Sequence, residues 1–317
     1  MISTKQKLHV IGELMNNSYA RARRAFKSRD LEAFQRLAQG QSELGAAFLT
    51  LNIDGTQRIQ VKLQEMLDFL PTLIPAIQQA CDTPISFDNP SIEYHKVALA
   101  HYDRSLSGKP ILNSLAASRE NLDEMIDLVK DYDTKAIVMA SEKFVDGGGA
   151  QCLNPLDSYE AAKRFVEMLV ERADRSTDDI IIDTGLAPVG ADTYGLVNIG
   201  LDAMQLISND PDMKGVHMMV GLSNFSFGTP KHMREKLEGA YLTLAMQRGL
   251  DFALANPEKS PAPLPPEDPI VAGLQNALDQ GRPRDGESQE SAGFRQAEAI
   301  LALCAQQDDD DDWDDWD

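Results

Sequence analysis

Amide and carboxylate side chains recur just after short apolar runs in this chain of 317 residues. In chain order they are Glu13 with Asn16, Asn52 with Asp54, Asp88, Asn113, Asp183, Asn224 with Ser226, and Asn256, with Ser141 as a hydroxyl in the same kind of position. Carboxylates accept hydrogen bonds, whereas amides both donate and accept them. If these residues meet at one site, that site suits a neutral ligand rich in donors.

A pterin is such a ligand. Its 2-amino group and the neighbouring ring N–H present two parallel donors, and one carboxylate can accept both. Asp88 and Asp183 are suited to that contact, and Asn113 can donate and accept around the rest of the ring. The alternative is that each of these residues only caps the helix that follows its strand, as Asp and Asn often do.

Other chemistries find little support in the sequence. Because no Lys, Arg or His directly ends an apolar run, a phosphorylated substrate lacks an obvious anion clamp. No Gly-x-Ser-x-Gly motif occurs, and none of the five histidines follows an apolar run, so hydrolysis is disfavoured. Without a His/Glu/Asp triplet at ligand spacing, no bound metal is expected.

The elements that must position these residues alternate along the chain. Eight apolar runs are predicted as strands, at residues 8–11, 48–53, 84–87, 110–112, 135–140, 179–182, 216–222 and 251–255. Helical patterns separate them, and the connections are too short for antiparallel pairing. This order predicts a parallel (β/α)8 TIM barrel, in which the carboxyl ends of all eight strands share one mouth. An open doubly wound sheet is the alternative, although no Gly-rich phosphate loop follows a strand.

The predicted organisation is a barrel at residues 1–256 followed by three C-terminal segments. Residues 257–290 are rich in proline and indicate a linker or insertion. Residues 291–306 are predicted as the final barrel helix. The acidic stretch 307–317 is predicted to be a disordered tail, with the alternative that Trp313 and Trp316 dock on a basic partner. The helix expected at 56–80 carries Pro71 and Pro75, which should break it.

The charge and composition of the chain exclude some classes of binding partner and indicate a cellular compartment. A formal net charge of −20 argues against nucleic acid and anionic membrane surfaces, which both need clustered Lys and Arg. The three cysteines are far apart and form neither a zinc motif nor a disulfide framework. With no signal peptide and no run of roughly 18 apolar residues, a cytoplasmic protein is expected.

Several of these segments together resemble the pterin-binding methyltransferases that act on methyltetrahydrofolate. They are IGELMNNS (11–18), FLTLNIDG (48–55), ISFDNPS (85–91), ILNSL (111–115), IIIDTGLAPVG (180–190) and GLSNFSFG (221–228). That group includes the methyltetrahydrofolate:corrinoid protein methyltransferases and the folate domain of cobalamin-dependent methionine synthase. Dihydropteroate synthase shares the barrel, but its basic motif after the seventh strand is absent here.

The resemblance implies a role for each matching residue. Asp88, Asn113 and Asp183 would hold the pterin ring, and Asn224 would hydrogen-bond N5, the nitrogen that carries the methyl group. Ser226, Glu13 and Asn16 also match the motifs and are expected in the substrate site, with Glu13 and Asn16 shaping its floor. The chain departs from the family in having Thr184-Gly185 after the sixth strand and Ala140-Ser141 at the fifth.

The implied reaction moves the N5-methyl group between methyltetrahydrofolate and the cobalt of a corrinoid. Since no Asp-x-His-x-x-Gly cobalamin motif occurs in this sequence, the cobalamin is expected on a separate corrinoid-binding protein that docks at the mouth. A homodimer is expected from such relatives. The alternatives are a pterin-binding module without turnover and another pterin enzyme related to dihydropteroate synthase.

Overall fold

The computed structural model describes residues 7–311, with side chains described as far as residue 305. The predicted tail at 307–317 therefore falls on the backbone end of the last helix and on residues outside the described part. The ten strands among the described residues are β1 (His9–Asn16), β2 (Phe48–Asn52), β3 (Ile85–Asp88), β4 (Ile111–Leu115), β5 (Lys135–Met139), β6 (Glu142–Val145), β7 (Gly148–Gln151), β8 (Ile180–Asp183), β9 (His217–Gly221) and β10 (Phe252–Ala255).

Eight of these strands close into a parallel barrel in the order β1-β10-β9-β8-β5-β4-β3-β2. The predicted (β/α)8 TIM barrel is confirmed, and each of the eight predicted strands is a barrel strand. Parallel strands buried on both faces read as continuous apolar runs, which is why these segments were visible in the sequence. The strands β6 and β7 form a separate antiparallel hairpin.

The α-helices that surround the barrel are α1 (Ala20–Ser28), α2 (Leu31–Glu43), α3 (Leu63–Ala80), α4 (Ile92–Ala100), α5 (Arg104–Ser107), α6 (Leu122–Asp131), α7 (Pro155–Ala173), α8 (Leu196–Asn209), α9 (Leu222–Phe225), α10 (Arg234–Met246), α11 (Pro269–Gln280) and α12 (Gln289–Asp311). Several begin at a side-chain cap, as where Asp30 accepts a hydrogen bond from the Ala33 N–H. Within residues 7–311, no helix is both long and apolar enough to cross a lipid bilayer.

The structure differs from the sequence expectation at α3. The helix begins at Leu63 rather than near residue 56, and it contains both Pro71 and Pro75 without ending at either. Each proline removes one helical hydrogen bond. The helix persists because one face is buried against the barrel, including Phe69, Leu70, Leu73 and Ile74. Tertiary packing here outweighs the local cost of the prolines.

A small apolar cluster fills the lower interior of the barrel. Its buried members come from seven strands: Ile11, Phe48, Ile111, Ile137, Ile181, Met219 and Phe252. The much larger outer core lies between the strands and the helices. Since alternate residues of a strand face the same side, the residues two positions further along each strand form the next interior layer.

The C-terminal region packs on the helices that follow the sixth and seventh barrel strands. Helix α11 lies within the proline-rich segment and buries Ile270, Leu274 and Leu278. The Asn198 amide on α8 donates to the Leu278 carbonyl at 2.8 Å. Helix α12 lies beside α11 and contacts the loop after β8, where Gln296 donates to the Val189 carbonyl at 3.0 Å.

Candidate functional site

Two carboxylates and one amide lie in the interior layer above the apolar cluster. Asn113 and Asp183 follow Ile111 and Ile181 by two residues, so strand geometry turns them toward the barrel interior. Asp88 ends β3 and pairs in register with Asn113 on β4. The structure therefore brings these three predicted residues to one end of the barrel.

Burial changes the protonation behaviour of both aspartates. It raises the pKa of Asp183 to about 6, and the charge of Asp88 adds to that rise, while the Gly185 N–H at 2.8 Å opposes it. Burial also raises the pKa of Asp88, against a hydrogen bond from Asn52 and the charge of Arg119. Interacting carboxyl groups with raised pKa values often occur at functional sites.

Asn224 lies in α9, a single helical turn directly after β9. Its side chain is exposed, and it makes no hydrogen bond to any residue between 7 and 311. The turn itself is well anchored, because Phe225 is fully buried and its ring packs at a tilt against the Tyr241 ring, with the centroids 4.6 Å apart. The Phe225 carbonyl also accepts from the Val189 N–H at 2.9 Å. The Asn224 amide, which has no hydrogen-bond partner among the described residues, is thus carried by a helical turn that is fixed by packing and hydrogen bonding.

Two buried glutamates hold the segment around Asn224 from opposite ends. The Ser223 hydroxyl donates to Glu13 at 2.7 Å, and the Tyr19 hydroxyl donates to the same carboxylate oxygen. The Ser226 hydroxyl donates to Glu238 on α10. Burial raises the pKa of both glutamates, and these hydrogen bonds oppose the rise. Glu13 consequently contacts the segment that carries Asn224, whereas Ser226 contacts α10.

Asn16 ends β1 and pairs in register with Asn52. Its side-chain oxygen accepts from the Ser18 N–H at 2.8 Å, so this part of the side chain stabilises the turn into α1. The strand β1 also extends past the Gly12-Glu13 end expected from the sequence, which places Glu13 inside the strand. Glu13 is buried there, with 8% of its surface exposed.

Three features near the mouth were not predicted as parts of the site. Glu238 is buried within a helix whose other buried residues are mostly apolar, and a lone acidic residue on such a face was the available signal. Arg119 follows β4 and acts on Asp88 through its charge. The local sequence does not show which site residue each of them contacts, because these contacts form between different elements of the fold.

The third feature is the β6–β7 hairpin, which follows β5 and Ser141 at the same end of the barrel. Its Glu142 carboxylate accepts from the Ser118 N–H at 3.3 Å. A cleft of about 410 Å³ lies between the hairpin and the loop after β8, and its lining includes Ser141, Thr184 and Gly185. The Asp-Gly turn between two short strands was the signal for this hairpin.

Comparison with known proteins places this barrel in a family. The sequence matches the profile of the pterin binding enzyme family over residues 13–256. It is 26% identical over 253 residues to a methylcorrinoid:tetrahydrofolate methyltransferase from Eubacterium limosum, which covers 78% of this chain and 84% of that protein. It is also 26% identical over 292 residues to methionine synthase from Mycobacterium leprae (strain TN), covering 88% of this chain but 22% of the relative.

Solved structures agree at the level of the fold. A 7,8-dihydropteroate synthase from Vibrio fischeri ES114 superposes with a TM-score of 0.55 at 18% identity, covering 87% of this chain and 95% of that one. A Yersinia pestis dihydropteroate synthase in complex with a sulfonamide drug gives 0.53 at 14% identity, with 96% and 95% covered. Since the family profile spans well over half of the sequence and the barrel matches, the chain belongs to the pterin binding enzyme family.

Proposed function

We propose that this protein transfers the N5-methyl group between methyltetrahydrofolate and the cobalt of a separate corrinoid protein. The observation that carries the proposal is the arrangement of two interacting, partly buried aspartates, Asp88 and Asp183, with the unpartnered amide of Asn224. The similarity to a relative named methylcorrinoid:tetrahydrofolate methyltransferase supports the same assignment.

In this proposal the aspartates and Asn113 bind the pterin ring. An ionised carboxylate accepts the parallel donors of the 2-amino group and the adjacent ring N–H, which compensates for the loss of water around the charge. Asn113 hydrogen-bonds the remaining polar edge of the ring. The Asn52 amide, 3.1 Å from an Asp88 oxygen, orients that carboxylate before the substrate arrives.

Asn224 then acts at N5, where the reaction needs positive charge. A methyl group on a neutral tertiary amine is hard to displace because the departing nitrogen is too basic, so N5 must be protonated before or during transfer. Asn224 has no ionisation near neutral pH, but its amide can hydrogen-bond N5 more strongly as the proton arrives. A residue that favours the charged state over the neutral one lowers the barrier.

The reduced corrinoid of the partner supplies the cobalt that accepts the methyl group. Asn224 is exposed at the mouth, so a partner protein can approach the methyl group from that side. Glu13 and Asn16 shape the floor of the site in this proposal. Ser226 holds the Asn224 segment in place through Glu238.

One assay tests the function directly. The purified protein is mixed with methyltetrahydrofolate and Co(I) cobalamin, and methylcobalamin is followed by its absorbance. We expect methylcobalamin to accumulate in proportion to enzyme concentration. Folate binding without methylcobalamin formation would instead favour a pterin-binding module without turnover, and the absence of folate binding would refute both.

A further inference from the structure

The cleft of about 410 Å³ between the β6–β7 hairpin and the loop after β8 lies outside the interior of the barrel. Asp183 ends β8 and faces the interior, and Thr184 follows it, so the two side chains leave the backbone on opposite sides. The Thr184 hydroxyl oxygen accordingly lies beside Gly200 on the outer helix α8, 3.4 Å from the position that a Cβ atom would take there. The cleft and the proposed pterin site therefore lie on opposite sides of the end of β8.

Two buried hydroxyl groups of the cleft lining have no hydrogen-bond partner among residues 7–311. They belong to Ser158, near the start of α7, and to Thr184, and these residues expose 0% and 4% of their surface. A hydroxyl that is buried without a hydrogen bond destabilises the fold, so such groups are uncommon and each one calls for an explanation. Two of them around one cleft of ligand size indicate a binding site.

The cleft also carries an uncompensated negative charge. Glu142 on β6 lines it, and its carboxylate accepts from the Ser118 N–H at 3.3 Å without forming an ion pair with any residue in the described range. The neighbouring Lys143 ammonium is engaged by Asp157 at 2.7 Å. No lysine or arginine belongs to the described lining. A carboxylate without a nearby cation attracts positive charge and repels anions, so the cleft suits a cationic group.

Another part of the lining is apolar. It consists of Leu186 in the loop after β8 and of Leu196 and Ile199 in the first turn of α8, which are all half-buried. Covering their remaining surface with an apolar group is favourable, because it removes that surface from water. A ligand that matches this cleft therefore combines a cationic end with an aliphatic body.

We propose that this cleft is a second binding site, separate from the pterin site, for a small aliphatic amine in its protonated form. An ammonium group has three N–H donors. They can be accepted by the Glu142 carboxylate and by the hydroxyl oxygens of Ser118 and Ser141, which also line the cleft. The aliphatic part of the ligand covers Leu196 and Ile199.

The amine site and the proposed pterin site share one turn of the chain. Gly185 lines the cleft, and its N–H donates to the Asp183 carboxylate at 2.8 Å. An amine in the cleft therefore contacts the turn that orients Asp183. Amine binding and methyl transfer are nevertheless separate properties, and either can be absent without the other.

The test uses isopentylamine as the probe, with isopentyl alcohol and isovalerate as neutral and anionic compounds of the same shape. Each is titrated into the full chain carrying isotope-labelled isoleucine methyl groups, so that NMR shifts report both affinity and position. We expect the amine to shift the Ile199 signal and to leave that of Ile181, in the lower interior of the barrel, unchanged. It should bind about fivefold more tightly than the alcohol, as a partly exposed ion pair allows, and isovalerate should bind most weakly.

Two variants of the hairpin separate a specific contact from general attraction to an acidic chain. Glu142→Gln keeps the shape of the side chain and an acceptor oxygen but removes the charge from the lining. Asp146→Asn removes a charge from the turn of the same hairpin, outside the lining. We expect the preference for the amine over the alcohol to disappear in Glu142→Gln and to persist in Asp146→Asn.

Equal affinity for the amine and the alcohol in the unchanged protein would overturn the amine site, as would the lack of any Ile199 shift. An equal loss of preference in Asp146→Asn would also overturn it, because the attraction would then belong to the hairpin as a whole. None of these results bears on the proposed function, which the methylcobalamin assay tests separately.

Discussion

The Asn52 side chain donates a hydrogen bond to the Asp88 carboxylate, with Nδ2 3.1 Å from Oδ2, and thereby joins the ends of β2 and β3. The bond engages one oxygen of a partly buried carboxylate. It opposes the rise in pKa that burial causes and holds the group in one orientation. A site built this way is partly organised before any ligand enters, which reduces the ordering cost of binding.

The first prediction concerns Asn224→Ala. Because the amide is proposed to favour the protonated state of N5, we expect the limiting rate at saturating methyltetrahydrofolate to fall by about 100-fold, as when other transition-state hydrogen bonds are lost. The dissociation constant should change much less. Stopped-flow measurement of methyl transfer gives the rate, and Asn209→Ala on α8 is a matched control far from the mouth. An unchanged limiting rate would remove Asn224 from the mechanism.

The second prediction concerns Glu238, which accepts from the Ser226 hydroxyl. Glu238→Ala leaves that hydroxyl without its partner, so the Asn224 segment should lose its fixed position. We expect a roughly 10-fold lower limiting rate with a smaller change in folate affinity. Glu238→Gln keeps a side-chain oxygen that can accept the same bond, and it should restore most of the rate. If Gln and Ala variants behave alike, the contact does not position the segment.

The third prediction is a pH dependence of folate binding. The pKa of Asp183 is raised to about 6, so this carboxyl becomes protonated as the pH falls below that value. Protonation removes an acceptor that the pterin donors need. The dissociation constant of methyltetrahydrofolate should therefore rise as the pH falls, approaching about tenfold per pH unit below 6.

Titration fluorimetry at several pH values measures this dependence, and circular dichroism confirms that the fold persists at each. Asp183→Asn cannot ionise, so its weaker binding should vary less with pH over the same range. A parallel decline in the two proteins would assign the effect to another group, such as the ligand itself.

The fourth prediction concerns the stability of the fold and a histidine, His217, at the end of the barrel opposite the mouth. His217 begins β9, and its Nδ1 lies 2.6 Å from the Asp251 carboxylate, which raises the histidine pKa above 6.5. A raised histidine pKa stabilises the fold fully below the unfolded value of about 6.5, and the stabilisation is lost as the pH rises through the folded pKa. His217→Gln should cost about 1 kcal/mol more at pH 6 than at pH 9.

Urea unfolding at the two pH values measures that difference. The exposed His101, which caps the C-terminal end of α4, provides a comparison, because its ring hydrogen-bonds only the Val97 carbonyl at 2.8 Å among the described residues. With no ion pair to lose, His101→Gln should cost a similar free energy of unfolding at both pH values. An equal cost of His217→Gln at both pH values would mean that the ion pair contributes nothing measurable.

The barrel was predictable because its signal is local and repeated. Each of its strands is a short apolar run, since both faces are buried, and each is followed by a helical pattern with one apolar face. The same logic identified Asp88, Asn113, Asp183 and Asn224 as candidates at a common mouth, because parallel strands end together. That these residues bind a pterin stays a prediction.

Other features depended on contacts between distant residues. The persistence of α3 through Pro71 and Pro75 reflects burial of its apolar face, a term that local propensity omits. The pairing of Ser226 with Glu238 and of Ser223 with Glu13 depends on how α10 and β1 pack around the mouth.

The order of residue types along the chain was thus enough to specify the barrel and the end at which polar groups gather. The burial of strands and helix faces produces apolar patterns that can be recognised in the sequence, whereas no sequence pattern identifies the residue that a buried carboxylate contacts. Only the folded chain decided that Glu13 and Glu238 hold the Asn224 segment and that Arg21 on α1 pairs with Glu258 after β10. These relationships arise because folding brings residues more than 200 positions apart, such as Arg21 and Glu258, within hydrogen-bonding distance.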